Sequence, residues 1–442
     1  MGTEDLVARD LAHVWHPFTQ HAAWAEDRPL VIDRGEGMYL VDTDGRRYLD
    51  GCSSLWVNVH GHRVPEVDDA IRRQLDRLAH STFLGLTHEP GIELAEKLLA
   101  AAPGDDVRRL TRVFYAGDGS SAVEAAIKMA FQAKAQNGED RPLYLHVAEG
   151  YHGDTLGAVS VGGIELFHHT YRPILLDTVM IPSPGVREEG QTPAARAAEV
   201  LASARERMAR DGRRICAVVV EPMVQAAAGM LTHDACFLRG MRDLADEHGA
   251  YLVADEVATG IGRTGLMWAV QHAEVVPDLL TCGKGLTAGY LPLSAVLATE
   301  EIWASFLGSP AEGRTFFHGH SYTANPLCAA AAIANLDLIE ANGTVAHARH
   351  VGERIGELTA DLEHHDGVLE IRRIGTMTGI EVRSAGADRR TGFEVCRLAR
   401  ERGVLIRPLG DVVVLMPPLA IGDDDLKTLV GTVDACIREV VG

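Results

Sequence analysis

Basic side chains are in deficit along this chain. Its 42 lysines and arginines face 62 aspartates and glutamates, a formal net charge of -20 over 442 residues. Nucleic acid and anionic membrane would both be repelled by such a surface, so neither is an expected partner. A disulfide framework is missing as well. The seven cysteines are odd in number, widely scattered and never spaced as CxxC, which suits reduced thiols in a cytoplasmic protein. No run approaches the roughly 18 apolar residues of a membrane span. Acids in Gly2-Thr3-Glu4-Asp5 stand where a secretory leader would carry bases. Internal repeats and long low-complexity tracts are also absent. What remains has ordinary proportions, 46% hydrophobic and 24% charged, and is expected to be soluble and globular. Its length exceeds the roughly 250–300 residues at which one core stops growing, so two or more domains are expected.

The central stretch alternates short apolar runs with amphipathic ones, the pattern of an α/β protein with a parallel sheet covered by helices. Strands are expected at 112–115, 143–147, 158–160, 215–220, 251–254, 279–282 and 294–298, and helices at 120–136, 193–210 and 238–248. Sites in such sheets gather beyond the carboxyl ends of the strands. Glu221, Asp255 and Lys284 all stand at or just past such ends. The Pro- and Gly-containing stretch 182–190 reads as an exposed loop. A long helix over 327–339 leads into a region of mixed helix and short strand, closing with a strand and turn at 403–410. Hairpin signals over 37–50 are expected to pack with that region. The expected division is a large domain at 61–330 and a smaller α+β domain built from 1–60 and 331–442.

Lys284 narrows the chemistry most, in Thr281-Cys282-Gly283-Lys284-Gly285-Leu286-Thr287. Flanking glycines leave bare backbone, so something bulky can approach the amine. Free lysine, with a pKa of about 10.4, is a poor nucleophile near neutrality, and such a lysine usually works as a Schiff base. Upstream, the apolar run Leu252-Val253-Ala254 closes on Asp255. An acid at a strand end is the anion that pyridoxal phosphate needs to keep its ring nitrogen protonated. The plainer reading is a surface lysine in a Gly-rich turn.

Other segments bear on the choice. Tyr115-Ala116-Gly117-Asp118-Gly119-Ser120-Ser121 reads as strand, turn and helix start, where free N–H groups beside the Ser120 hydroxyl form an anion pocket. Alternatively Ser120 only caps the helix, with Glu124 nearby as a first-turn acid. In Glu149-Gly150-Tyr151-His152-Gly153-Asp154-Thr155, glycines bracket an aromatic pair, so Tyr151 can lie flat on a planar ring or serve as an ordinary core tyrosine. Hydroxyls and backbone of Phe317-His318-Gly319-His320-Ser321-Tyr322-Thr323 could close over a phosphate. The pairs His318/His320 and His60/His62 lack acid or cysteine partners at ligand spacing, so no metal is expected. Gly260-Ile261-Gly262-Arg263-Thr264-Gly265 fits GxGxxG, but its strand ends too early, no helix opens at the glycines and no strand-end acid follows. An irregular loop passing near the active centre is expected there instead.

Together these segments resemble the fold-type I, class III aminotransferases, which use pyridoxal 5'-phosphate. The similarity runs nearly end to end, and within the family it points to the biotin-pathway branch acting on 8-amino-7-oxononanoate. It shows in His13-Val14-Trp15-His16-Pro17-Phe18-Thr19, Ser53-Ser54-Leu55-Trp56, His60-Gly61-His62, Gly85-Leu86-Thr87-His88-Glu89-Pro90 and Ile406-Arg407-Pro408, besides the segments around Tyr151, Asp255 and Lys284. The resemblance implies a mostly parallel seven-stranded sheet in a large domain, and an aminotransferase that yields 7,8-diaminononanoate. Lys284 would hold the cofactor and shuttle the proton, Asp255 would pair with the ring nitrogen, and Tyr151 would lie against ring and substrate. Gly119 and Ser120 would bind the phosphate from one subunit, His320 and Ser321 from the other, with His152 and Glu221 completing the cofactor set. Arg407 would hold a substrate carboxylate, a planar anion that suits a bidentate guanidinium. Phe18, Leu55, Trp56 and Gly319 complete the implied substrate set. Such sites form across a homodimer interface. The implied partners are therefore a keto acid, an amino donor and a second copy of the chain.

Three positions depart from members that take their amino group from S-adenosylmethionine. Phe18 stands where a tyrosine is usual, Leu55 replaces the first of two adjacent tryptophans, and Val414 replaces a tyrosine. Aromatic contacts of the kind lost are worth roughly 0.5–2 kcal/mol each to a cation. The segments 161–169 and 316–322 look more like the branch that uses lysine, so L-lysine is the expected donor. A class III aminotransferase for an ω-amino acid or diamine would keep every cofactor residue and differ around Phe18, Trp56 and Arg407.

Overall fold

The computed structural model describes residues 2–26, 29–104, 107–384 and 390–442. Runs such as Ile215-Cys216-Ala217-Val218-Val219-Val220 have no polar side to offer water, and all six residues are buried. Strands of that kind need helices on both faces. They form a seven-stranded sheet of β1 (Leu110–Ala116), β2 (Leu143–Val147), β3 (Thr178–Ile181), β4 (Ile215–Val220), β5 (Tyr251–Asp255), β6 (Leu279–Cys282) and β7 (Ser294–Thr299). Their order is β1-β7-β6-β5-β4-β2-β3. Only β7 runs antiparallel to its neighbours.

Alternation along the strands feeds two cores. Val218 and Val220 point into one with helices α2 (Pro193–Asp211) and α3 (Ala235–His248). Ala217 and Val219 point into the other, with the small residues Ala122, Ala126 and Ala130 of α1 (Gly119–Gln136). A third core, around Val351, Leu415 and Leu429, lies under two further four-stranded sheets. One of these contains the hairpin read at 37–50: Tyr39–Asp42 pairs antiparallel with Arg47–Asp50, and Val404–Leu405 adds to the latter in parallel.

Differences from the sequence reading are local. The stretch 158–160 is not a strand but the end of a buried helical turn, Leu156–Ser160, in which the Ser160 hydroxyl donates to the Leu156 carbonyl at 2.6 Å. A short apolar run has no period that separates a strand from a buried helix. The seventh strand is β3, at the sheet edge. Helix α3 begins three residues before the expected start because Asp234 caps it, accepting the Cys236 N–H at 2.8 Å. In the 182–190 loop, Ser183, Pro184 and Gly185 are buried, with the Ser183 hydroxyl bonded to Gln225. No helix among the described residues is long and apolar enough to cross a membrane.

The strands that position the site are pinned at their far end by one buried acid. Asp278, 3% exposed, accepts the Leu252 N–H and an Arg242 N–H, both at 2.7 Å, and pairs with Arg108 at 3.1 Å. This fixes the register of β6 against β5. Asp278→Ala removes the buried carboxylate of Arg242, leaving it only the half-exposed Asp246, and strips the Leu252 N–H of its side-chain acceptor; it is expected to cost about 3 kcal/mol, measured by urea unfolding.

Candidate active site

In-register pairing of β5 with β6 sets Asp255 beside Thr281. The Thr281 hydroxyl donates to Asp255 Oδ1 at 3.0 Å, and the Val257 N–H donates to the same oxygen at 3.1 Å. His152 Nδ1–H reaches Asp255 Oδ2 at 2.7 Å. Burial alone would lower the pKa of His152, but the hydrogen bond and charge of Asp255 outweigh it and the net shift is upward. Asp255 is therefore an oriented anion at the floor of a cleft.

Lys284 sits on the wall of that cleft, one residue beyond Gly283 at the end of β6. Its backbone is in the left-handed region, φ 45°, a strained placement of the sort that concentrates at functional sites. Its Nζ lies 5.0 Å from the centre of the Trp56 ring. Desolvation lowers the Lys284 pKa, opposed by Asp255 and Glu221 and assisted by Arg263. An amine with a depressed pKa is the better nucleophile near neutrality.

At the other end of the cleft, helix α1 starts. The capping question resolves in favour of Asp118, whose carboxylate accepts the Ser121 N–H at 2.9 Å. Ser120 does not cap; its hydroxyl accepts the Asp154 N–H at 3.1 Å. The N–H groups of Gly119 and Ser120, first in the helix, have no partner within it and face an incoming anion. Glycine is needed nearby: a Cβ on Gly119 would stand 2.7 Å from Val257, and one on Gly153 would collide with Ser120.

Tyr151, His152 and Glu221 form the remaining wall. Glu221 is buried, and its two oxygens accept the Tyr151 N–H at 2.9 Å and the Ala226 N–H at 3.0 Å. Burial raises its carboxyl to about 7 despite those bonds. The Tyr151 hydroxyl donates to Asp154 at 2.9 Å. Trp56, Gly119, Ser120, Tyr151, His152, Glu221, Asp255 and Lys284 thus line one cleft of about 600 Å³, open solvent at its mouth included.

The other candidates lie outside this lining. Phe18 is largely exposed, with its ring 5.9 Å from that of Phe167, which lies 5.7 Å from that of Tyr151. Leu55 is exposed beside Trp56. The Arg407 side chain is exposed and has no hydrogen bond or ion pair among the described residues, while its backbone pairs with Val414. Gly319, His320 and Ser321 belong to a separate loop, where the Ser321 carbonyl bonds to His80 at 2.8 Å. Of the histidine pairs, His62 bonds Asp50 at 3.0 Å and His318 Nδ1 bonds Lys128 at 3.1 Å. Sequence reasoning missed Asp118 and Thr281. An acid just before a helix-forming run is a cap signal that could have found the first; nothing in spacing marks the second.

A desolvated lysine, an oriented carboxylate and an open helix terminus meet in one cleft, an arrangement suited to pyridoxal phosphate. The chain belongs to the aminotransferase class-III family, whose model matches residues 21–437. It is 51% identical, over 99% of its length and 82% of the relative's, to the adenosylmethionine-8-amino-7-oxononanoate aminotransferase of Nitratidesulfovibrio vulgaris. The crystal structure of the enzyme of that name from Methanocaldococcus jannaschii superposes with a TM-score of 0.93 at 36% identity, covering 99% of each chain. An (S)-enantioselective omega-transaminase from Thermomicrobium roseum gives 0.94 at 31% identity, covering 100% of this chain and 99% of that one.

The family's cofactor, pyridoxal 5'-phosphate, fits this cleft on its chemistry. The helix terminus and Ser120 suit a phosphate, Asp255 a ring cation, Lys284 an aldehyde, and Tyr151 with Val257 and Ala258 an apolar ring.

Glu221 makes a prediction about pH. Its carboxyl titrates near 7 in the folded protein against 4.5 ordinarily, so between those values the native state holds a proton that the unfolded chain has released. Its contribution to stability is therefore fullest below 4.5 and falls as pH rises toward 7, by up to about 1.4 kcal/mol per pH unit. Glu256, also buried and raised to about 7, adds the same sign. Glu221→Gln cannot titrate and is expected to flatten the fall by up to one proton, read from urea unfolding of cofactor-free protein at several pH values.

Proposed function

We propose that this chain aminates 8-amino-7-oxononanoate to 7,8-diaminononanoate, a step of biotin biosynthesis, in the cytoplasm and as a homodimer. The observation that carries the reading is the meeting of Lys284, Asp255 and the Gly119–Ser120 helix terminus in one cleft. The relatives' names supply the substrate. When bound, pyridoxal phosphate supplies an electrophilic aldehyde and a ring that accepts electrons once its nitrogen is protonated.

Each residue then has a task that its surroundings support. Lys284 Nζ would hold the cofactor and, once released, move a proton at the amino-bearing carbon of the substrate. Asp255, oriented by His152 and Thr281, would pair with the ring nitrogen. Gly119 and Ser120 would take the phosphate, while His152 and Glu221 brace the wall that Tyr151 forms against the ring. The unpartnered, exposed Arg407 would take the substrate carboxylate, at a rim shared with Phe18, Leu55 and Trp56. Gly319, His320 and Ser321 would reach the cofactor phosphate of a second copy of the chain. The division of labour would put the cofactor on residues 61–330, with 1–60 and 331–442 as the smaller domain.

L-lysine is the proposed donor. Phe18 lacks a hydroxyl, Leu55 is an exposed aliphatic where a ring would stand, and Val414 is buried against Trp56 in the same small core. Leu55 and Val414 thus remove two rings that would face a sulfonium and an adenine. Single-turnover absorbance of the purified enzyme tests the choice: L-lysine is expected to discharge the cofactor's visible band. Discharge by S-adenosylmethionine and not by lysine overturns it. Rescue of a biotin auxotroph blocked at this step separates the proposed substrate from an ω-amino acid or a diamine. Loss of one preorganised electrostatic partner costs about 10²–10³ in rate, so Asp255→Ala is expected to fall at least that far in kcat. Lys284→Ala is expected to lose turnover altogether.

A further inference from the structure

One buried amide lies behind the turn that carries Lys284 and has no part in the chemistry above. Asn335 belongs to the helix Pro326–Ala341, which Asn325 caps by accepting the Leu327 N–H at 3.0 Å and the Cys328 N–H at 3.2 Å. Ala331 and Ala332 share its buried face and let the helix come close, and Asn335 itself is 0% exposed. Its Nδ2 donates to the Gly285 and Leu286 carbonyls, both at 2.9 Å. These are the two residues after Lys284. Chemistry fixes the direction of the amide, because Oδ1 in that place would face two oxygens with no hydrogen to share. Oδ1 closes no hydrogen bond, and neither does Nε2 of His60, whose pKa burial lowers and Asn335 partly restores. An apolar side chain of similar shape would avoid the cost of that unpaired oxygen. What the amide supplies is a hold on the lysine turn.

That turn is under strain. Lys284 at φ 45° and Ala288 at φ 53° put two residues with side chains in the left-handed region, one at each end of Lys284–Thr287. The bonds from the Leu286 N–H to Gly283 at 2.9 Å and from the Ala288 N–H to Gly285 at 3.0 Å close the turn on itself. They do not attach it to the rest of the molecule. The Asn335 amide does, from another helix 49 and 50 positions along the chain. Elsewhere the turn rests on apolar packing, where a Cβ on Gly285 would stand 3.4 Å from Val59 and Ile261.

We propose that Asn335 is a positioning residue for Lys284: its amide, donated to the carbonyls of the next two residues, holds the strained turn so that Nζ stays inside the cleft. This rests on the reading of Lys284 as the cofactor lysine. Asn335 is not among the residues that line the cleft, so it acts through the main chain of the lysine. Trp56, Asp255, Glu221 and Arg263 face or act on the amine, and burial is the largest influence on it. A turn free to relax lets water reach Nζ and weakens that influence.

Asn335→Leu removes both donors and keeps the branched shape. In cofactor-free protein, the pH midpoint for trace acetylation of Lys284 is expected to move upward by about half a unit or more, because a better-solvated amine keeps its proton to higher pH. In the full-length holoenzyme, kcat is expected to fall about tenfold, with the KM for 8-amino-7-oxononanoate within about threefold of wild type. A merely structural role would lower stability and leave the Lys284 midpoint in place. A midpoint shared with wild type, or a kcat within about threefold of it, overturns the proposal. If Asn335→Leu does not fold, Asn335→Ala removes the amide without adding apolar bulk and is judged by the same two readings. Wild-type protein inactive on every donor would instead sink the proposed function, while the acetylation midpoints would still decide whether Asn335 holds the Lys284 turn.

Discussion

The carboxylate of Asp255 is the constraint around which the site is organised. Two donors, Thr281 and Val257, hold one of its oxygens, and His152 holds the other. A buried carboxylate with both oxygens hydrogen-bonded in this way is held in one orientation. Its position follows from strand register, because Thr281 is its partner across β5 and β6. The same pairing delivers Lys284 to the neighbouring strand end. The geometry of the chemistry is thus inherited from main-chain hydrogen bonding of the sheet.

Around that anion the cleft is graded in charge. The anion-seeking helix terminus at Gly119 and Ser120 lies at one end and the desolvated Lys284 amine on the wall. Glu221 is poised near neutrality between the backbone of Tyr151 and that of Ala226. Low polarity within the cleft strengthens each of these interactions relative to water. Buried polar groups elsewhere serve the frame: Asp278 fixes register, Glu256 accepts the Thr259 hydroxyl and the Val270 N–H, and Arg263 joins distant segments.

Much of this was legible in the order of residues. Six of the seven sheet strands are apolar runs bounded by turns, and the helices over 120–136 and 193–210 lie within a residue of where periodicity puts them. Glycine neighbours mark Lys284 and a strand end marks Asp255, and the structure brings the two into one cleft. The failures have physical causes. The run at 156–160 is too short for its period to register, and β3 is a four-residue edge strand with only Val179 and Ile181 buried. The bond between His152 and Asp255 joins residues 103 positions apart, and no local spacing encodes it. The burial of Arg263 has no local signal, since its acceptors at Asn58 and Pro417 are distant in the chain. The exposed positions Phe18, Leu55 and Arg407 were named by resemblance alone, since one chain gives them no partner to be read from.

The reversed direction of β7 has its own consequence. Since that strand enters the sheet from the rim that carries Lys284, its first residue, Ser294, sits beside the start of α1 and donates its hydroxyl to the Asp118 carbonyl at 2.5 Å. The connection from 284 to 294 accordingly joins two residues of the rim that carries Lys284, whereas Thr299 and Glu300 stand at the opposite one. An insertion in the first connection would therefore act on the cleft directly.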